Sequence, residues 1–552
     1  MNNHKCSHDI ESVGSINAQL LSGAVRKTRN CSFCVLFVLG LGILLACSSP
    51  DPTGHTTLRR GLGGEPSSLD PALAADTFST AVIIDLYEGL TTESAAGEVL
   101  PGVAAAWTVD GSGTEYTFRL RDDARWSNGK KVIARDFVTS WRRVVDPKFG
   151  SPTADDLRLI SHAASIMAGR EPLTALGVSA PSDSILVVKL ERAAPYFLQI
   201  LAHPGTFPIY STASATTHHP AEWISNGPYI LASWQTSTGI DLKANPEYWD
   251  RKNVAIKKVR YQFTPDETVQ YAEYRAGQLD LTDIVPANAV STIKRENPGE
   301  LIISPFLATA YYGINLANKE LSNVALRQAL AMAIDRKRLV EALGFGQTAA
   351  YGFVPPGTTD YTPQGWTWKS MSDSERVATA QRLYTKAGFS PAFPLRLKLL
   401  FSSNETIKRT AVISAAMWHE VLGVDVELTE EEFKVFLQSR HDKTRWDVAR
   451  LAWNADFNDA SNFLDVLRTH SPNNDMSYSN IAFDRDLDEA AKASNPASRR
   501  AHLEAAERRM LEDYSIIPLY YFVSERLIKP YVHGLLSNPL NHVPSKALTL
   551  DP

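Results

Sequence analysis

Between Ala104 and Pro147 the spacing of apolar positions changes twice. Tyr116, Phe118 and Leu120 alternate with polar residues at the two-residue period of a half-buried strand, and Trp107 stands on the far side of an Asp110-Gly111 turn, which predicts a hairpin. A second turn, Ser127-Asn128-Gly129, follows Trp126. Beyond Ala134 the period lengthens, and Phe137, Val138 and Trp141 fall on one face of a helix that opens with Arg135-Asp136. The same reading gives helical spacing over 82–90, 324–334, 375–387, 411–421 and 499–512, with β-rich runs over 395–401 and 424–428. Turn chemistry marks Glu65 to Ser68 and Asp70-Pro71, and Ser225 to Ile230 begins another sheet-rich stretch. No internal repeat or low-complexity block interrupts 56–552. Interleaved strands and helices predict a mixed α/β fold with long-range sheet pairing.

One apolar run is of a different kind. Residues 33–46 are unbroken apolar and small residues, preceded by Arg26, Lys27 and Arg29 and followed by Cys47-Ser48-Ser49-Pro50. A membrane span needs roughly 20 such residues, so the run suits the apolar region of an export signal. Left uncleaved it would be a single-pass anchor, and either way the bulk of the chain lies outside the cytoplasm. The leader before it is long and carries Asp9 and Glu11, so translation is expected to start near Val25. A short polar tether, 48–57, follows. All of the chain's cysteines, Cys6, Cys31, Cys34 and Cys47, lie at or before the end of this leader, so the exported part is expected to hold no disulfide. Cys31 and Cys34 have redox or metal spacing but no partner pair downstream, and read as accidental. Stability must come from burial, and 552 residues suffice for about three domains with cores of their own.

Charge and motif searches remove whole classes of function. The formal net charge is −5, the leader is net basic, and the rest is therefore more acidic still. Without a Lys/Arg stripe there is no footprint for nucleic acid; doublets such as Arg59-Arg60, Lys257-Lys258 and Arg508-Arg509 read as solvated faces. No G-x-S-x-G elbow or Walker loop occurs, and His419-Glu420 lacks the second histidine of H-E-x-x-H. Adjacent histidines at His218-His219 would point to opposite faces of a strand and read as a surface loop, while Glu430-Glu431-Glu432 read as a solvated helix start. No catalytic residue, metal site or cofactor is expected.

Three stretches, in order, carry a resemblance. They are 104–147, 311–336 (YYGINLANKELSNVALRQALAMAIDR) and 447–465 (DVARLAWNADFNDASNFLD). Together they resemble the large extracytoplasmic solute-binding proteins of the peptide and nickel class, which serve ABC importers, and the likeness covers nearly all of the exported chain. Leu44-Leu45-Ala46-Cys47 resembles a bacterial lipobox, whose cysteine is acylated. The resemblance implies an α/β, two-lobed periplasmic-binding-protein-like fold of type II with an extra inserted domain. Its parts would be a signal peptide over 1–46, one lobe from 47–87, 212–307 and 524–552, the inserted domain over 88–211, and the other lobe over 308–523. Crossings near Leu307 and Val523 would be the hinge about which the lobes close. The implied setting is the periplasm of a Gram-negative-type cell, with Cys47 holding a lipid anchor in the membrane, ABC permease subunits as partners and a monomeric receptor.

The candidate site lies in the third stretch. Read from its neighbours alone, Asp456 is an Asx turn or the approach to a helix cap at Asn458 or Asp459. The resemblance implies instead that it receives the α-ammonium of a bound peptide; such a pair about 4 Å apart attracts by roughly 4 kcal/mol at an effective dielectric near 20. Backbone groups of Ala452 to Asn454 would pair with an extended ligand as an added strand. Trp453 covers the ligand backbone or packs between lobes, and Arg450 meets a ligand carboxylate or is a structural ion-pair partner. Ala308 and Asn454 stand where enteric oligopeptide binders have stapling cysteines. Ile407 replaces a histidine that meets the end of longer ligands, Phe433 replaces a tryptophan, and Thr153 to Asp156 replace an aromatic-rich segment. The expected cargo is di- to oligopeptides, with short or murein-derived peptides fitting as well as general ones. Rivals are a carrier of nickel chelates, haem or opines, and an envelope sensor or hydrolase that uses the same fold.

Overall fold

The computed structural model describes residues 56–551 except 75, 211–221, 391 and 494. The proposed leader, Cys47 and His218-His219 lie outside the described residues. Strand β1 (Thr57–Leu62) is followed by helix α1 (Thr77–Leu86) and a two-stranded ribbon of β2 (Thr91–Glu93) and β3 (Val99–Pro101). Next, β4 (Ala104–Val109), β5 (Glu115–Leu120), β6 (Val178–Ser182) and β7 (Ile185–Lys189) form an antiparallel sheet in the order β4-β5-β7-β6. Helices α2 (Ala134–Val144) and α3 (Phe197–Ile200) belong to this part of the chain. β8 (Tyr229–Gln235), β9 (Gly239–Ala244) and β10 (Lys258–Phe263) then join β1 in a sheet ordered β1-β10-β9-β8, parallel only at β1-β10.

The largest sheet gathers the C-terminal half. Its strands are β11 (Leu301–Ile314), β12 (Thr348–Ala349), β13 (Arg396–Ser402), β14 (Asp425–Glu431), β15 (Val448–Asn454) and β16 (Ile516–Leu527), ordered β12-β16-β11-β15-β13-β14. Around it lie α4 (Glu405–Leu422), α5 (Phe433–Ser439), α6 (Ala460–Leu464) and α7 (Pro496–Glu512), with further helices over Val324–Ala333 and Asp373–Lys386.

Local chemistry explains why the opening hairpin and helix form. Asp110 turns β4 into β5 by accepting the N–H groups of Thr114 (2.9 Å) and Glu115 (2.8 Å), an Asx-type turn that leaves Gly113 at φ +72°. Asp136, in the first turn of α2, accepts the N–H of Ile133 (3.0 Å) and the indole of Trp126 (3.0 Å), while Trp141 donates to the carbonyl of Thr206 (2.7 Å). The two tryptophans are buried with Phe118 and Phe137, so both the strand face and the helix face read from sequence point into one core.

Some boundaries differ from the sequence reading, for tertiary reasons. The helix expected over 82–90 begins at Thr77, capped by Asp76, and stops at Leu86. Beyond that the backbone is captured by Asn226, which accepts the N–H of Glu88 (3.1 Å) and donates to its carbonyl (2.8 Å). α4 starts at Glu405 rather than 411, because its polar first turns are capped by Asn404 and do not need an apolar stripe. Glu430 and Glu431 end β14 instead of starting a helix; only Glu432 belongs to the start of α5, where it accepts the N–H of Val435 (3.3 Å).

Two cores result. One joins Leu58, Tyr229 and Val259 to Phe118, Trp141 and Leu186 and to C-terminal residues such as Val543 and Leu548. The other surrounds the large sheet, with Tyr312, Leu330, Leu399, Trp418 and Ile517 fully buried. β11 and β16 run beyond the second core: Leu301 and Leu527, at the far end of the pair, pack with Tyr274, Leu279 and Val290. Their ladder slips between Pro305 and Thr309, where proline has no N–H to give.

Glu507 on α7 is the buried polar anchor of the second core. It is fully buried and accepts N–H groups of Phe353 (2.7 Å), Val354 (2.8 Å) and Gln364 (3.2 Å) and the hydroxyl of Tyr361. Burial pushes its carboxyl up to about 7 against the pull of these donors. Glu507→Ala should cost about 3 kcal/mol or more in urea denaturation, because it strands buried donors. The deficit should be larger at pH 5 than at pH 8: a carboxyl raised from 4.5 to about 7 contributes stability that is fully present below 4.5 and lost as pH rises through 7.

Candidate functional site

β15 is paired on one side along its whole length and on the other for only two residues. Against β11 it runs antiparallel from Ile314↔Val448 to Ala308↔Asn454; against β13 it meets only Leu399↔Val448 and Leu400↔Ala449. The bonds from Asn315 N–H to Asp447 O (3.0 Å) and from Ala455 N–H to Leu307 O (2.8 Å) bracket the β11 ladder and fix its phase. Backbone groups of Ala449, Leu451 and Trp453 therefore face β11, and those of Arg450, Ala452 and Asn454 face the edge that β13 has left. Burial falls along the same strand: the first four residues are buried, whereas Ala452 and Asn454 are exposed. Among the described residues no strand pairs with the outward backbone donors and acceptors of Ala452 and Asn454, and Ala308 stands directly opposite Asn454.

Asp456 follows two residues after this edge ends. Its side chain is exposed to water, although protein atoms crowd around it closely enough to desolvate the carboxyl in part. Asn462, buried on α6, holds it: the amide nitrogen donates to Asp456 Oδ2 (3.3 Å), and the amide oxygen accepts the Asp456 N–H (3.3 Å) and the Trp453 indole (2.8 Å). One amide thereby sets both Trp453 and Asp456. Desolvation raises the Asp456 carboxyl above its ordinary value, while the nearby His203 charge and the Asn462 hydrogen bond act to lower it and Asp156 raises it. Asp456 forms no ion pair among the described residues.

The turn after Asp456 is pinned from both sides. Phe457 stacks on Tyr196 at 4.5 Å and 5° between planes, Asn458 donates its N–H to Gln199 (2.7 Å), and Thr359 donates to Asn458 (2.8 Å). Asp459, which caps α6, takes both terminal nitrogens of Arg499 (2.7 and 2.8 Å). Of the two sequence candidates for that cap, Asp459 is the one used.

Arg450 is placed differently from Ala452 and Asn454. Its guanidinium is buried, at 3% exposure, donating to its own neighbour Leu451 O (2.7 Å) and to Tyr520 Oη (2.7 Å), with Nε left without a partner. No carboxylate pairs with it among the described residues, so the alternative of a structural ion pair is not realised. Phe433 opens α5 and is 56% exposed. Because β13, β14 and β15 run parallel, Phe433 and Ile407 follow the same ends of their strands as Asp456 does, on one edge of the sheet. A groove of about 640 Å³ lined by Arg396, Lys398, His419, Asp425 and Asp447 opens at the opposite ends of these strands and touches none of the candidate residues.

Sequence reasoning did not single out Asn462, Gln199, His203 or Tyr520. The fixed spacing of Trp453, Asp456 and Asn462 on a strand, turn and short helix was the available signal for the first; the others come from segments far away in the chain. Among the described residues no cluster of metal-ligating side chains occurs, and no helix is long and apolar enough to cross a membrane.

The body is built on three principal sheets, with β11 and β16 reaching from the core of the largest to the cluster of Tyr274, Leu279 and Val290. The family of bacterial extracellular solute-binding proteins, family 5 (middle region), matches residues 98–475, and the chain belongs to it. The chain is 35% identical to the periplasmic oligopeptide-binding protein OppA of Escherichia coli, over 89% of this chain and 92% of that one. It is 34% identical to the periplasmic murein peptide-binding protein MppA of Escherichia coli, over 92% and 96% of the two. The solved structure of the Escherichia coli murein tripeptide binding protein MppA superposes with a TM-score of 0.80 at 34% identity, covering 90% of this chain and 98% of that one. The fold class is that of these proteins, the two-lobed type II solute-binding fold expected from sequence.

Asn462→Ala should raise the carboxyl of Asp456 further, because it removes a hydrogen bond that favours the charged form while leaving the desolvation in place. A carbon-detected NMR titration of the Asp456 carboxyl, compared with the parent protein, checks the direction.

Proposed function

We propose that this protein is the peptide receptor of an ABC importer, holding ligands by their free amino terminus and passing them to a membrane permease without chemical change. The observation that carries the reading is the succession of an open strand edge at Ala452 and Asn454 and a carboxylate, Asp456, just beyond its end. An extended peptide added to that edge gains main-chain hydrogen bonds that ignore its sequence. Its ammonium then meets Asp456, a feature shared by every unblocked peptide. Side chains are left free, and water in the surrounding space satisfies what they bring. The names of the two relatives, one an oligopeptide binder and the other a murein peptide binder, support the same class of cargo.

Further assignments follow from this reading. Arg450 takes a ligand carboxylate: a buried guanidinium without an anion carries a desolvation cost of several kcal/mol that a ligand's carboxylate would offset. Trp453, fixed by Asn462, covers the ligand backbone, and Phe433 borders the far side of the recess. The first lobe comprises 47–87, 212–307 and 524–552, the inserted domain 88–211, and the second lobe 308–523. The slip in the β11 and β16 ladder at Pro305 to Thr309 supports a hinge near Leu307 and Val523. Residues 1–46 are an export signal, and acylated Cys47 tethers a monomeric receptor to the envelope.

Isothermal titration with an uncapped tripeptide should give a dissociation constant well over tenfold weaker for Asp456→Ala than for the parent, since the ammonium would be buried without its partner. Equal affinity of parent and variant would move the amino clamp elsewhere. In cells, Cys47→Ala should shift the protein from the membrane fraction to the soluble envelope fraction on immunoblotting.

A further inference from the structure

The segment after β7 is docked on the turn that carries Asp456, through the Tyr196–Phe457 stack and the Gln199–Asn458 hydrogen bond (2.7 Å). His203 lies four residues beyond Gln199, beside that turn. Its Nδ1 is 2.7 Å from Asp156 Oδ2, and the two side chains are only 21% and 19% exposed. Gly205 makes room for this approach: a Cβ there would stand 2.1 Å from Asp156 Oδ2 and 2.7 Å from Thr153. Asp156 is thus seated against the ring by the local backbone.

The charges that act most strongly on the ring are acidic. Asp156 meets it directly, Asp456 and Glu93 act on it through space, and Glu93 is shared with His542, whose Nδ1 lies 2.9 Å away. Burial alone would discharge the imidazole, but these carboxylates overcome it and raise it from 6.5 to about 9. The interaction is mutual, since His203 favours the ionised form of Asp456. Without a ligand the site therefore brings together the carboxyl groups of Asp156 and Asp456 and one imidazolium.

We propose that His203 is the resident counter-cation of Asp456, and that a ligand ammonium arriving at Asp456 expels a proton from it, so that capture is coupled to proton release. This rests on the reading of Asp456 as the ammonium site. The proton leaves Nε2 for solvent, Nδ1–H remains on Asp156, and the ligand keeps its own charge. One cation replaces another, so the net charge of the recess is the same before and after binding. An ammonium approaching a fixed cation would be repelled; a titratable one yields. The sign follows: at lower pH the ligand must displace a more firmly held proton, so affinity rises with pH until the peptide's own amine, with an ordinary value of about 8, begins to lose its charge.

The test is calorimetry of the full exported chain with tri-alanine at pH 7, in phosphate and in Tris, whose ionisation enthalpies differ. The parent should release a substantial fraction of a proton, and its affinity should rise several-fold between pH 6 and 7.5. His203→Gln should show only the small proton uptake of the peptide amine and a nearly flat affinity over that range. Asp156→Asn, which keeps the shape of the pair, should shrink the release. If parent and His203→Gln exchange the same number of protons while tri-alanine still outbinds its acetyl-capped twin, the coupling is overturned and the ammonium site stands. If capped and uncapped peptides bind the parent equally, the ammonium site itself falls, and the coupling with it.

Discussion

A carboxylate partly desolvated by its neighbours is stabilised by a positive charge near it, and much of the candidate site is arranged around that constraint. Asp456 has a hydrogen-bond donor in Asn462 and the nearby charge of His203 acting on it through space, but no ion-pair partner among the described residues. Its ionised form is therefore supported without being fully neutralised. Arg450 is the complementary case, a buried guanidinium satisfied by a carbonyl and a phenol rather than by an anion.

The sheet supplies direction between these two charges. β13 diverges from β15 after Ala449, and the backbone groups of Ala452 and Asn454 are left on an edge that an extended chain can occupy. Exposed edges of this type are ordinarily hazards for aggregation. Here the edge is only a few residues long and is flanked by the Asp456 turn, which the Phe457–Tyr196 stack and the Asp459–Arg499 pair hold in place. Affinity can then come from main-chain bonds and a terminal charge, which is compatible with recognising a class of ligands rather than one sequence.

β11 and β16 link this site to the rest of the molecule. Each strand packs one end in the core of the large sheet and the other against Tyr274, Leu279 and Val290. The pairing breaks where Pro305 removes a donor, so the continuous ladder is weakest between the two packed regions. Rigid ends with a weakened middle support the hinge proposed near Leu307 and Val523.

Much of this was legible in the chain itself. The alternation of Tyr116, Phe118 and Leu120 and the helical face of Phe137 and Trp141 read correctly because both elements are amphipathic and bury one side. The order of three motifs was enough to indicate the fold; Asp456 was singled out only by that resemblance, since its neighbours by themselves read as an Asx turn or the approach to a cap. Boundaries failed where a distant group intervened, as when Asn226 drew Glu88 out of a helix. Periodicity reports which face of an element is buried, and so it fixed the elements and their cores. It carries no information on where one strand leaves its neighbour, or on which side chains from residues 156, 199 and 203 come to stand beside residue 456. Those relations depend on contacts between segments hundreds of residues apart, and only the packed chain decided them.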